Sequence, residues 1–380
     1  MSSKRAIVEL LTSAELVAVA QQLGLDGAEH DSHSALLEGM VASKGATLPK
    51  ILAELPIDRL KELCRAVVAD DSGRNRPTLI RRLTRTDSAT RLFGLVARDA
   101  RIAVIFRRGP SKQVRMLLWD LVTDAVTPGQ WLSGRIYDER CGISPDGRLV
   151  VYFAGKFKTK LATFTAVSRP PYFTALALWP EGSTYGGGGF FEHNRKLILN
   201  YNCLIAELNN NATLPADFVV SHTGEYCKRH NRDQTAQANQ GWILKSKGAD
   251  GAPTPKMRFV YSPPWVCVKP HPTQAGVTLE RSTLGMGEVN GPFTVYSYRL
   301  LETPPKPASA SAGEALASDL GRLDWADWDH DGSLLFAEHG CLYRRALATR
   351  VAKTPVKLVA ALGDQVFSNV LPPEEARKWP

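Results

Sequence analysis

The sequence predicts a chain of more than one domain, a small all-α module followed by a larger all-β domain. Two periodicities carry the prediction. Apolar residues recur at intervals of three and four up to about residue 87, and from about residue 93 apolar and polar residues alternate in short runs between turn residues. Length agrees, because 380 residues suffice for two domains, one with a large core.

In the first part Leu11, Leu16, Ala20 and Leu23, then Leu36, Leu37 and Met40, mark one apolar stripe. Leu55, Leu60, Cys64 and Val67, then Leu79, Ile80 and Leu83, repeat it 44 residues on for the first set and 43 for the second. That offset predicts a tandem helix–loop–helix duplication, with copies over residues 1–44 and 45–88.

The second copy reads LPIDRLKELCRAVVADDSGRNRPTLIRRL. It resembles the SAP family and its bacterial relatives, small two-helix modules that bind DNA. The match lies in Leu60 and Leu63 on a first helix, Asp70-Asp71-Ser72-Gly73 in the loop, and Leu79-Ile80-Arg81-Arg82-Leu83 on a second. Pro77 suits the first turn of that second helix, where its missing N–H costs nothing. The loop is one residue longer than the commonest pattern. The resemblance implies DNA binding by the second copy. The first copy has GLDGAEHDSHSALLEGM in the corresponding place, without basic residues, which implies a structural role.

The second domain is expected over 93–366. Strand-like runs include ARIAVIF, QVRMLLWDLV, GRLVVYFA, FTALALWP, RKLILNYN, PFTVYSYRLL, GSLLFA and GCLYRRAL. Six segments share a turn followed by a β-run, and their first apolar residues are Ile102, Leu149, Leu197, Ile243, Phe293 and Leu334. The steps are 47, 48, 46, 50 and 41 residues. Such a period in a strand-only region predicts a β-propeller of about six blades, with a double β-sandwich as the competing arrangement. Trp119-Asp120 is reminiscent of WD40 blades. The Pro-, Ala- and Ser-rich stretch Thr303 to Gly321 predicts a flexible loop between two blades.

Net charge is +9, and residues 1–87 contribute 12 Lys+Arg against 12 Asp+Glu, so the excess lies beyond them. A basic body attracts polyanions. The six cysteines form no C-x-x-C pair, which excludes a zinc ribbon and suits a reducing cytosol. Neither a secretion signal nor a membrane span is expected, and the expected location is the cytoplasm.

Several motifs carry chemistry. Asp327, Asp329, Asp331, Gly332 and Glu338 match the spacing of an EF-hand calcium loop. However, the match runs into Leu334-Leu335-Phe336, a β-run, and Asp146-Gly147 precedes another such run without the extra carboxylates. The expectation is therefore an Asp-Gly hairpin turn and no metal. His222, Cys227 and His230 lie close in sequence, but a fourth zinc partner at a recognised spacing is missing. Gly186 to Gly189 are not followed by Gly-Lys-Ser/Thr or a helix start, so a mobile loop is expected there rather than a phosphate cradle. No nucleophile elbow and no catalytic histidine stand out, and no cofactor is expected.

The densest functional signal is SGRNRPTLIRRLTRT, which holds Arg74, Arg76, Arg81, Arg82 and Arg85 without an acid. Arg74 and Arg76 precede a helix start and the other three lie on the helix, a pattern suited to phosphates rather than bases. The expected function is a non-enzymatic, bacterial-style adaptor. Its helices would hold DNA independently of sequence, and its propeller would present a protein-interaction surface, in genome maintenance or DNA defence. The alternative is a propeller enzyme or small-ligand binder using the central channel, with the helices mediating oligomerisation.

Overall fold

In the computed structural model the described residues are 4–25, 32–43, 45–66, 71, 75–84, 90–109, 113–156, 161–200, 213–223, 237–288, 292–302, 316–347, 355–363 and 365–380. They form two compact units, Met1–Ala89 with Gly363–Gln365, and Thr90–Leu362 with Val366–Pro380. No described helix is long and apolar enough to cross a membrane.

The first unit is helical: α1 (Lys4–Val8), α2 (Ser13–Gln22), α3 (His33–Ala42), α4 (Leu48–Ala53), α5 (Ile57–Ala66) and α6 (Arg76–Thr84). Each copy thus holds three helices, one more than the periodicity predicts, because α1 and α4 are too short to show a period. The duplication is visible in the core. Ile7, Val8, Leu11, Leu16, Val19 and Ala20 are buried, as are Ile51, Leu52, Leu55, Leu60, Leu63 and Cys64, each 44 residues on. Leu36 and Met40 correspond to the buried Leu79 and Leu83, 43 residues on. Local chemistry fixes the helix starts. Thr12 caps α2 through a reciprocal capping box with Glu15, and Ser32 accepts the Ala35 N–H at the start of α3.

The described residues of the second unit form five sheets. The first is β1 (Arg91–Val96), β2 (Ile102–Arg108), β3 (Gln113–Asp120) and β4 (Val126–Ser133), in that order. The second holds β5 (Arg135–Ile136), β6 (Gly142–Ile143), β7 (Val150–Gly155), β8 (Thr163–Ser168) and β9 (Ala175–Pro180). The third is β10 (Gly189–His193), β11 (Lys196–Leu199) and β12 (Val219–His222), with β12 parallel to β11. The fourth contains β13 (Ile243–Ser246), β14 (Asp250–Gly251), β15 (Met257–Pro270), β16 (Val277–Glu288), β17 (Thr294–Glu302) and β18 (Leu316–Gly321). The fifth is β19 (Trp325–Trp328), β20 (Leu334–Glu338), β21 (Cys341–Arg345) and β22 (Val356–Ala361). All other named pairings are antiparallel.

Six segments sharing one frame therefore occupy five sheets. The units beginning at Ile243 and Phe293 lie in one sheet, because β15 and β16 extend to 14 and 12 residues and fill the space of two short hairpins. The Pro/Ala/Ser-rich stretch connects β17 to its neighbour β18 within that sheet rather than two sheets, and its residues 303–315 lie outside the described ones.

Buried cores join the first, second and third sheets in sequence, and the fourth, fifth and first likewise. Phe106 and Met116 of the first sheet share a core with Tyr152 and Phe164 of the second. Val151 and Trp179 of the second share one with Phe191 and Leu197 of the third. Between the third and fourth, Asn239 donates from Nδ2 to the Phe191 carbonyl at 2.9 Å. Leu279 and Tyr298 of the fourth pack with Trp328 and Leu334 of the fifth. Trp325 and Leu335 of the fifth pack with Ile105 and Trp119 of the first. The segment 366–380 belongs to this unit too, beyond the expected end at 366. Its Val370 carbonyl accepts from Gln130, its Glu375 carbonyl accepts from Arg169, and Trp379 donates to the Thr213 carbonyl.

Candidate functional site

The basic helix of the second copy is partly described. Arg76 opens α6 rather than lying in the loop before it, and Pro77 falls in the first turn as expected. The Arg76 Nη1 donates to the carbonyls of Ala53 and Leu55 at 2.7 and 2.6 Å, which ties the end of α4 to the start of α6. Arg81 and Arg82 lie on α6, but their side chains, like the whole of Arg74 and Arg85, are outside the described residues. The equivalent helix of the first copy, α3, contains Glu38 and no Lys or Arg.

The EF-hand-like stretch is a hairpin. β19 pairs with β20, so Asp327 is a strand residue opposite Leu335. Gly332 has φ +85 and Gly147 φ +75, and in both turns the preceding Asp accepts the N–H two residues on, Ser333 to Asp331 and Arg148 to Asp146. The carboxylates do not form one ion cage: Asp327 meets Lys269, and Asp329 and Asp331 meet at Arg101. Asp327 accepts from Lys269 at 2.6 Å. Asp329, fully buried, accepts from Arg101 at 2.6 Å and Arg344 at 2.5 Å. Asp331 accepts from Arg101 at 2.7 Å, and Glu338 lies beside His339. Arg344 also reaches Asp124, so the cluster cross-links the fifth sheet to the first.

Among the described residues no group of three or more His, Cys, Asp or Glu could hold a metal. His222 lies at the end of β12, and Cys227 and His230 fall outside the described residues. Gly186 to Gly189 are buried, which overturns the mobile loop. A Cβ on Gly188 would sit 2.1 Å from the Arg140 carbonyl and one on Gly187 2.2 Å from the Phe153 ring, so close packing explains this glycine run.

Cavities lie among the described residues of the sheets, two of them lined by charged groups. The larger, of about 480 Å³, is lined from all five sheets or the loops entering them, by Arg98, Ile143, Phe190, Asn239, Lys269 and His330 among others. The smaller, of about 50 Å³, is lined by Arg91, Arg108, Asp138, Glu139, Tyr296 and Asp324 among others. Burial pushes the Asp324 carboxyl up to about 7, against the opposing Leu92 N–H and Arg91 guanidinium. Burial raises Asp138 as well. Tyr296 of the fourth sheet donates its hydroxyl to Glu139, in the 3₁₀ turn of the second sheet, at 2.7 Å.

The sequence reading missed these groups. They come from strands and turns far apart in the chain, and no local motif joins them. Comparison with family models, with curated proteins and with solved structures finds no match, so the functional reading rests on the residues themselves.

Proposed function

We propose that the protein is a DNA-binding scaffold whose second helical copy holds the phosphate backbone and whose β unit is a five-bladed propeller that presents a partner surface. One observation carries the DNA reading. The two copies match at eight buried positions, yet differ in the sequence of their last helix, where Glu38 and Gly39 stand 43 residues before Arg81 and Arg82. Packing therefore does not require Arg81 and Arg82, and the five arginines from Arg74 to Arg85 meet no acid in sequence. Guanidiniums at and after a helix start suit phosphate oxygens, with little reading of bases. The resemblance to SAP-like modules supports the same assignment.

The propeller reading is supported by the sequence of shared cores, with the fifth sheet packed on the first, and by a cavity that every sheet lines. Turns add to it: Asp99 N–H bonds Pro145 O, Asp146 N–H bonds Asn194 Oδ1, and His330 donates to Ala97 O.

The test is salt dependence on duplexes of unrelated sequence. Arg74→Gln, Arg81→Gln and Arg85→Gln together spare Arg76, which the helical unit uses internally. The triple variant is expected to lower the slope of log affinity against log salt by about 2.7, at about 0.9 per phosphate contact. An unchanged slope with unchanged helical content rejects the assignment.

A further inference from the structure

Arg91 on β1 and Arg108 on β2 are direct cross-strand partners in the antiparallel register of the first sheet. Direct partners project to the same face, so two cations stand side by side there, an arrangement that costs stability. Burial lowers the Arg91 guanidinium; the Asp324 charge opposes that shift, and the Arg108 charge adds to it. Among the described residues the Arg108 guanidinium has no hydrogen-bond or ion-pair partner. Its neighbour Arg107, which alternation turns to the other face, is fully served by the carbonyls of Leu362 and Gly109 and the Thr90 hydroxyl.

Both arginines are partly exposed, and both line the smaller cavity together with Thr294 of β17. The Thr294 hydroxyl oxygen is buried and has no partner among the described residues, which is costly for a polar atom. Three carboxyls share the walls but leave the guanidinium of Arg108 unmatched. Glu139 is engaged by the Tyr296 hydroxyl at 2.7 Å. Asp324 accepts the Leu92 N–H at 3.4 Å, and burial favours its protonated form. Asp138 feels the Arg108 charge without bonding to it, and burial favours its protonated form too. A protonated carboxyl can itself donate to an oxyanion.

We propose that this cavity binds one small oxyanion of the size of phosphate or sulfate, held between Arg91 and Arg108 and by the Thr294 hydroxyl. An anion between the two guanidiniums turns their repulsion into two charge-assisted attractions, and the planar fork of each suits its oxygens. The cavity of about 50 Å³ is several times the roughly 10–15 Å³ that one water needs, which leaves space for an ion of this size and none for an organic body. The site lies wholly within the β unit, so the proposal goes beyond the DNA reading and does not depend on it.

The test uses the full chain at pH 6, in a buffer free of oxyanions, with sodium phosphate, sodium sulfate, phenyl phosphate and sodium chloride. Titration calorimetry and melting temperature are the readouts. Phosphate or sulfate is expected to bind saturably with one-to-one stoichiometry. Phenyl phosphate should bind at least tenfold more weakly, because its ring has no room, and chloride at equal ionic strength should give no saturable response. Arg108→Gln should weaken oxyanion binding at least tenfold, with basal Tm unchanged or higher because the like-charge contact is relieved. Arg108→Lys keeps the charge without the fork and should bind at least threefold more weakly than wild type but more tightly than Arg108→Gln. It also keeps the test open should Arg108→Gln fail to fold. The proposal is overturned if neither oxyanion binds the wild type, if phenyl phosphate or chloride matches them, or if either variant binds as the wild type does. A Tm rise that does not saturate and is shared by Arg108→Gln is the general effect of such salts on burial, and also rejects it. A fall in basal Tm with Arg108→Gln would make the guanidinium a structural group and count against the site. DNA affinity should be the same in Arg108→Gln and wild type, which separates this outcome from that of the DNA reading.

Discussion

Glu15 and Arg59 stand 44 residues apart, at equivalent positions of the two helical copies, and bond to each other, with Arg59 Nε 2.6 Å from Glu15 Oε1. The same guanidinium donates to the Leu10 carbonyl at 2.7 Å, and Glu15 closes the capping box at the start of α2. Duplication thus placed unlike residues at matching positions, and their pairing ties the copies together.

This pair sets an acid limit for the helical unit. Burial alone would raise the Glu15 carboxyl, but the Arg59 and Thr12 hydrogen bonds outweigh it and hold its pKa below the usual 4.5. A lowered folded value means stability present above pH 4.5 and lost as pH falls through the folded pKa. Helical ellipticity in thermal melts should show wild type losing stability from pH 5 to 3 more steeply than Glu15→Gln. Equal slopes would show that the pair does not couple to folding. At pH 7, Arg59→Ala should cost roughly 1.5–3 kcal/mol, the range for hydrogen bonds to charged groups.

The β unit should have the opposite dependence. Asp324 has a folded pKa of about 7 against an ordinary 3.8, so folding favours its protonated form. That contribution is full below pH 3.8 and lost as pH rises through about 7, with a slope of up to about 1.4 kcal/mol per pH unit for one proton. Glu181, which accepts from the Thr165 hydroxyl, is also raised by burial to about 7 and adds to the slope. Denaturant melts between pH 5 and 8 should show Asp324→Asn with a shallower decline than wild type and Asp324→Asn with Glu181→Gln shallower still, Asp138, also raised by burial, keeping part of the slope. A double variant that declines like wild type would place the titration elsewhere.

What the sequence reveals follows from how local each signal is. The hairpin at Gly332 and the helical duplication are legible because a positive-φ turn and a buried stripe are set by residues close together in the chain. The β15–β16 pair is not. Pro263 and Pro264 interrupt β15, and proline within a run argues against a strand. Here a register shift between Val260 and Trp265 accommodates them, and the strand continues. Missing that pair is what turns five sheets into six repeats. Arg108 was invisible for another reason: the groups that share its cavity, Asp138, Thr294 and Asp324, come from other sheets or the turns before them, and nothing in AVIFRR tells it from Arg107, which is buried and bonded to backbone.

The last prediction concerns the stretch with calcium-loop spacing. Asp329 is fully buried and shares one carboxylate between Arg101 and Arg344, so a calcium ion would have to displace two guanidiniums. Wild-type Tm should not move with added calcium. Asp329→Asn removes the buried carboxylate that Arg101 and Arg344 share, while Arg101 keeps Asp331 and Arg344 keeps Asp124, and should cost roughly 1.5–3 kcal/mol, the range for hydrogen bonds to charged groups. The turn itself is tested by glycine. Gly332→Ala meets both a φ of +85 and the His271 ring 2.3 Å from its Cβ, whereas Gly321→Ala meets a φ of +73 and open space. Backbone strain alone costs roughly 1–3 kcal/mol, so Gly321→Ala should fall in that range and Gly332→Ala well above it. Calcium stabilisation that disappears in Asp329→Asn would make the stretch a metal site. Equal cost at the two glycines would remove the contact between the turn and His271.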